Sequence, residues 1–250
     1  MTPATTARCQ LIESPVPESV PISVIREIAD RFPDARQILI SGSHIKGCAT
    51  SESDIDVFVF LPRVSEVLRE VARVDGHLVD LAVHDFRSIR VVLTREHAMS
   101  ICALADELEQ GVFLIPPCDE ALALKALCRA ILEEGPKPFD LDALRSHLLG
   151  QSSDLRHCLE PTERHAIALG LAFKLMLLEV RARGGWIGSG RYLARDLDRL
   201  APGFIDALAQ ASSLSLAGQG DKALIDQVET TIRRHFGTID RRWHCRVQVD

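Results

Sequence analysis

The chain has no excess of positive charge, no paired-cysteine motif and no uncharged apolar run of membrane length, and each absence removes a class of protein. Lys and Arg number 29 against 35 Asp and Glu, a formal net charge of −6. An acidic chain offers no basic footprint for a phosphate backbone, so nucleic acid is not an expected partner. The cysteines, Cys9, Cys48, Cys102, Cys118, Cys128, Cys158 and Cys245, number seven and are scattered. Without a CxxC pair or a zinc-type spacing they predict buried thiols in a reducing cytosol rather than disulfides or a zinc site. His235, His244 and Cys245 lie near one another in sequence, but their spacing follows no ligand pattern. The first twenty-one residues lack the apolar core of a secretory signal, and the expectation is a soluble, cytoplasmic protein. Neither an internal repeat nor a low-complexity tract is present.

What is there divides the chain into two parts of different texture. At 250 residues either one large domain or two modest ones could bury a core, and the pattern favours two. After a turn-rich lead-in to about Pro17, apolar residues at helical period predict a helix over Val20–Phe32, followed by a strand from Gln37 to Ser41. A second strand is expected over Val57–Leu61, an amphipathic helix over Val64–Val74, an Asp75-Gly76 turn, and a strand over His77–Val83. Beyond Phe86 strand signals vanish. Helices are predicted over Ser88–Leu108, Asp119–Leu132, Leu141–Leu159, Pro161–Arg183, Tyr192–Leu200, Ile205–Ala211 and Lys222–His235. The fold class is therefore α+β: a small mixed sheet with flanking helices over residues 1–115, then an all-α helical bundle over 116–250, with the boundary falling between Gly111 and Pro138.

The chemistry concentrates in Ser41–Val59, SGSHIKGCATSESDIDVFV. Residues two apart on a strand share a face, so Asp54 and Asp56 project together while Ile55 and Val57 point the other way. Paired carboxylates repel unless a cation neutralises them, and such hard oxygen ligands suit Mg²⁺. Gly42 lets the backbone approach an anion, and the amides and hydroxyl at Ser43 are able to donate to phosphate. The complete spacing, Gly42-Ser43, three residues, Gly47, five residues, Ser53-Asp54-Ile55-Asp56, resembles the motif of the polymerase-β-like nucleotidyltransferase superfamily.

The resemblance implies a third carboxylate on a neighbouring strand. Asp80, between apolar residues in HLVDLAV, fits it; Asp85 is the runner-up. Together with Asp54 and Asp56, Asp80 would hold two Mg²⁺ ions, roughly 3.5–4 Å apart in two-metal sites, and assist deprotonation of an acceptor hydroxyl. Gly42 and Ser43 would bind the β- and γ-phosphates of an NTP, ATP first among them, with Lys46 adding a cation. The implied reaction is transfer of a nucleoside monophosphate with loss of pyrophosphate. A sheet domain followed by a helical bundle is similar to the kanamycin nucleotidyltransferase type of enzyme, which implies a small-molecule acceptor such as an aminoglycoside. In that type a bundle carboxylate is able to act as general base, which makes Glu163 and Glu179 on the Pro161 helix candidates. The loop Gly184–Tyr192, with Trp186, Arg191 and Tyr192, is either a second contact region or a helix connection pinned by Trp186. Alternatives are transfer of AMP to a protein and a non-catalytic nucleotide-binding module. Oligomeric state is not readable.

Overall fold

The computed structural model describes residues 16–188 and 190–237, and the chain divides into two compact units at the Glu134–Gly135 junction. The N-terminal unit is built on a five-stranded mixed sheet in the order β3-β4-β2-β1-β5. Helix α1 (Ile22–Arg31) precedes β1 (Gln37–Ser41), and a single turn, α2 (Gly42–Ile45), leads through a loop to β2 (Ile55–Phe60). β1 and β2 are antiparallel. Val24, Ile25 and Ile28 give α1 an apolar stripe, which packs against Ile38, Ile40, Val57, Val59, Leu81 and Val83 from alternate positions of three strands. Burial of each such side chain stabilises by about 1.5–3 kcal/mol, enough to fix which way every strand faces.

One expected element is overturned. Residues Leu68–Val74 are a strand, β3, rather than part of a helix, and they pair antiparallel with β4 (His77–His84). Asp75 and Gly76 both have positive φ, 46° and 82°, the signature of a two-residue type I′ hairpin turn, for which Asp-Gly is a strong local signal. The spacing of Val64, Val67, Leu68 and Val71 imitates a helical stripe, yet Val67, Leu68 and Val71 are 43–60% exposed. They cover no core, so turn chemistry decides. Strand β4 then runs parallel to β2.

The single helix expected over Ser88–Leu108 is two, α3 (Phe86–Ala98) and α4 (Ala103–Gln110). Asp85 caps α3 in a capping box with Ser88, and the break falls at Ser100, whose φ is 59°, where an L-residue is unfavourable inside a helix. A short β5 (Val112–Phe113) lies in what reads as a break, and pairs with Leu39 and Ile40. Helix α5 (Asp119–Glu134) completes this unit.

The second unit contains α6 (Leu141–His157), α7 (Pro161–Ala182), α8 (Gly190–Leu200), α9 (Phe204–Leu216) and α10 (Lys222–Phe236) around one apolar core. All five match the expected helices to within a few residues. Leu171, Leu175, Leu178 and Val180 of α7 are fully buried, whereas Leu169 and Phe173 are half exposed. The first half of α7 is core on one side, while at its C-terminal end four consecutive residues, Leu178 to Arg181, are buried, so that end is covered on every side. Thiols depart from expectation as well: among the described cysteines only Cys128 is buried, Cys48 is exposed, and Cys102, Cys118 and Cys158 are intermediate. Burial pushes the Cys128 thiol up to about 12. Cys9 and Cys245 lie outside the described residues, as do the expected lead-in through residue 15 and His244. No helix among the described residues is long and apolar enough to cross a membrane.

Candidate active site

Three elements bring the acids together. Asp54 ends the loop before β2, Asp56 is the second residue of β2, and Asp80 is its register partner on β4. Because β2 and β4 are parallel and in this register, their side chains emerge on one face at one level. An oxygen from each of Asp54, Asp56 and Asp80 lies within 4.8 Å of the other two, and all three residues are half-buried. Hard cations take oxygen ligands in such cages. Burial raises the Asp56 carboxyl to about 6, with the charges of Asp54 and Asp80 adding to the rise. Negative charge here is under-compensated, which is the condition a divalent cation relieves.

Gly42 closes the other side. It has φ +74°, and a Cβ placed on it would stand 1.7 Å from Asp56 Oδ2. The turn after β1 therefore passes directly over the Asp56 carboxylate, which only glycine permits. Ser43 follows in the first turn of α2 and its carbonyl accepts from Cys48 N–H at 3.0 Å. Lys46 lies at the end of α2 and its ammonium donates to Asp106 Oδ2 of α4 at 2.6 Å, so it is tied to α4 rather than standing free. Ser41 donates from Oγ to the Glu107 carbonyl at 2.5 Å, which pins the same turn to α4.

Two groups at this site escaped the sequence reading. Arg69, on β3, donates through Nε to Asp80 Oδ1 at 3.1 Å and through Nη2 to Oδ2 at 2.6 Å, engaging both oxygens of the third acid. Glu107 of α4 has its carboxyl pushed up to about 7, first by burial and then by Asp56. No local pattern marks either residue: Arg69 sat in an expected helix and Glu107 in an expected long one. Asp85 is not part of the trio. Its carboxylate accepts from the amides of Val64, Arg87 and Ser88, a structural cap.

The bundle candidates resolve differently. Glu163 is exposed in the first turn of α7. Glu179 is fully buried and accepts from Arg183 (2.8 Å), Arg234 (3.1 Å) and His235 (2.7 Å). Burial opposes its charge, but the hydrogen bonds from His235 and Arg183 outweigh this and hold its carboxyl below the usual range. It ties α7 to α10, and His235 is spent on it. Of the loop Gly184–Tyr192, Ser189 and the Arg191 side chain lie outside the described residues, and Tyr192 is 53% exposed.

A close trio of half-buried carboxylates on a mixed sheet, overhung by a glycine turn suited to phosphate, is the make-up of metal-assisted phosphoryl and nucleotidyl transfer sites. Comparison with known proteins agrees: residues 22–137 match the family described as the nucleotidyltransferase domain. That match supports a nucleotidyltransferase domain over this segment and, with it, a transferase of phosphorus-containing groups. Among solved structures, a nucleotidyltransferase-like protein from Exiguobacterium sibiricum is similar at 16% identity, with 85% of this chain and 77% of that chain covered and a TM-score of 0.43. No curated protein matches.

Proposed function

We propose that this chain is a metal-dependent nucleotidyltransferase that moves a nucleoside monophosphate from an NTP, ATP first, to a hydroxyl of a small-molecule acceptor, releasing pyrophosphate. The observation that carries this reading is the trio Asp54, Asp56 and Asp80, with ligand oxygens within 4.8 Å of one another. These three residues would hold Mg²⁺, two ions in the fullest form of the site. Bound there, the metal would supply charge neutralisation for the triphosphate and for the attacking oxygen.

The sheet order supports a division of roles among the residues. Gly42 and Ser43 leave β1 on one flank of the trio, and Asp80 stands on β4, the other flank. The triphosphate would lie against Gly42-Ser43, and the acceptor would approach past Asp80, which is placed to take the hydroxyl proton. Lys46 reaches a β- or γ-phosphate only by leaving Asp106. Asp54, Asp56 and Asp80 make the site acidic, while burial raises the Glu96 and Glu107 carboxyls and so holds back their share of the negative charge. Such surroundings favour a cationic acceptor of the aminoglycoside kind.

The test is pyrophosphate release from each NTP with Mg²⁺, screened against aminoglycosides and lincosamides, with Asp54→Ala as blank. Release that requires one acceptor class and vanishes in the blank is the expected result. Silence across the panel with Mg²⁺·NTP still bound would overturn the small-molecule reading.

A second expectation arises from Arg69. Its side chain is 74% exposed while that of Asp80 is 13% exposed, so the guanidinium is the mobile partner. An ion ligated by Asp80 must take oxygen from it. Arg69→Ala should therefore tighten Mn²⁺ binding to the nucleotide-free protein, by about fivefold for a pair worth about 1 kcal/mol. Electron paramagnetic titration of free Mn²⁺ measures this directly. Weaker binding in Arg69→Ala would mean instead that Arg69 holds Asp80 in place for the ion.

A further inference from the structure

The parallel strands β2 and β4 end on the side of the sheet away from the acid trio. Pro62-Arg63-Val64 follows β2 and Asp85-Phe86-Arg87 follows β4. Pro62 is six residues beyond Asp56, about 20 Å along a strand. There the β2–β3 connection and α3 border a cleft of about 580 Å³ whose walls include Arg63, Val64, Val67, Arg87, Val91 and Arg95. Through the shared walls Phe86, Arg87, Val91 and Arg95 it continues into a second lobe of about 690 Å³, bordered also by Arg90 and Thr94. Both volumes fall in the range of small-ligand sites.

The charges of the cleft do not balance. Its acids are Asp85 and Glu120, and both are committed. Asp85 accepts from three backbone amides, and Glu120 pairs with Arg36. That leaves Arg63, Arg87, Arg90 and Arg95 without an ion-pair partner among the described residues. In a chain where acids outnumber bases 35 to 29, four guanidiniums without an ion pair around one cavity make a local positive potential that attracts an anion. Arg87, Val91 and Arg95 follow at intervals of four along α3, so they form one stripe, cation, apolar, cation. Val91 is 45% exposed and Val67, across the cleft, 47%. Apolar floor and cationic rim together describe a ligand with a phosphate at one end and an apolar body at the other. Guanidinium forks match phosphate oxygens in pairs, which an ammonium does not. The amides at the start of α3 are already taken by Asp85, so binding would fall to the arginines. A nucleic-acid strand would need the cationic stripe to continue, and the chain as a whole is acidic.

We propose that this cleft binds a phosphorylated small molecule, its phosphate held by Arg63, Arg87 and Arg95 and its apolar part seated on Val67 and Val91. The site is separate from the acid trio and does not depend on the chemistry there. Calorimetric titration with inorganic pyrophosphate, in EDTA and at fixed salt, tests it in the wild-type chain, in Asp54→Ala and in the double variant Arg87→Glu/Arg95→Glu, with circular dichroism as the check on folding. Expected are equal binding in the wild type and Asp54→Ala, and binding at least about tenfold weaker in the folded double variant. An Arg87→Gln/Arg95→Gln variant, which removes charge without reversing it, should weaken binding in the same direction. No binding to the wild type would overturn the proposal. So would binding that survives both arginine variants and disappears in Ser43→Ala, which would place the anion at the Gly-Ser turn. Single-stranded RNA bound through these arginines and not displaced by pyrophosphate would also overturn it, in favour of a macromolecular surface.

Discussion

Asp56→Asn is expected to abolish pyrophosphate release, by about a thousandfold or more, while making the metal-free protein more stable at pH 8. The two effects have one source. Burial first, then Asp54 and Asp80, raise the Asp56 carboxyl from 3.8 to about 6. A raised carboxyl means that the folded chain holds this proton more tightly than the unfolded one. Stability therefore falls as pH rises from about 3.8 to about 6, and the penalty stands in full above that window. A shift of about two units corresponds to about 3 kcal/mol; with partial solvent screening about 2 kcal/mol is expected. Asparagine keeps the shape and loses the charge, so thermal melts in EDTA should show a gain at pH 8 that disappears by pH 4. Near-normal turnover in Asp56→Asn would sink the metal assignment, and a lower melting temperature at pH 8 would sink the electrostatic account.

Gly42→Ala should be nearly as damaging to activity and should also weaken the fold. The added methyl would stand 1.7 Å from Asp56 Oδ2 and 2.7 Å from Cγ, on a backbone with φ +74°. Either the Asp56 side chain must rotate away or the turn must move, and both take Asp56 Oδ2 out of its place in the trio. Left-handed backbone costs alanine about 1 kcal/mol and overpacking adds about 1–3, which sums to about 2–4 kcal/mol in urea denaturation. Gly47→Ala is the control. It too has positive φ, +67°, but nothing lies within 4 Å of its Cβ, so it should lose only the backbone contribution and keep turnover. Equal activity in Gly42→Ala and wild type would show that the turn does not constrain Asp56.

The acid trio was legible because its signal is local and periodic. Asp54 and Asp56 are two apart, which sets them on one side of the chain, and Asp80 is flanked by apolar residues. The helical bundle was legible for the same reason. Val64–Val74 was misread because valines and leucines there repeat at helical spacing by coincidence, while the decisive signal, Asp75-Gly76, sits outside the segment and acts only once two strands are considered together. Arg69 and Glu107 belong to a further category. Each reaches the site across a gap between elements, and no pattern along the chain encodes which residue of α4 or β3 will stand opposite an aspartate. Glu179 shows the converse: its place within the Pro161 helix was visible, but not the three cations that use it.

The hairpin β3–β4 has a consequence for the order of assembly. Its two strands are joined by two residues, so it closes early and without long-range help, whereas β2 meets β4 only when the hairpin docks. Docking is the step that sets Asp80 beside Asp56, and like charges oppose it. Arg69 and Asp80 lie on the two strands of that same hairpin and pair within it. The third acid thus arrives with its counter-ion attached, and the pair persists in the complete sheet, to be opened only by an ion that takes an Asp80 oxygen.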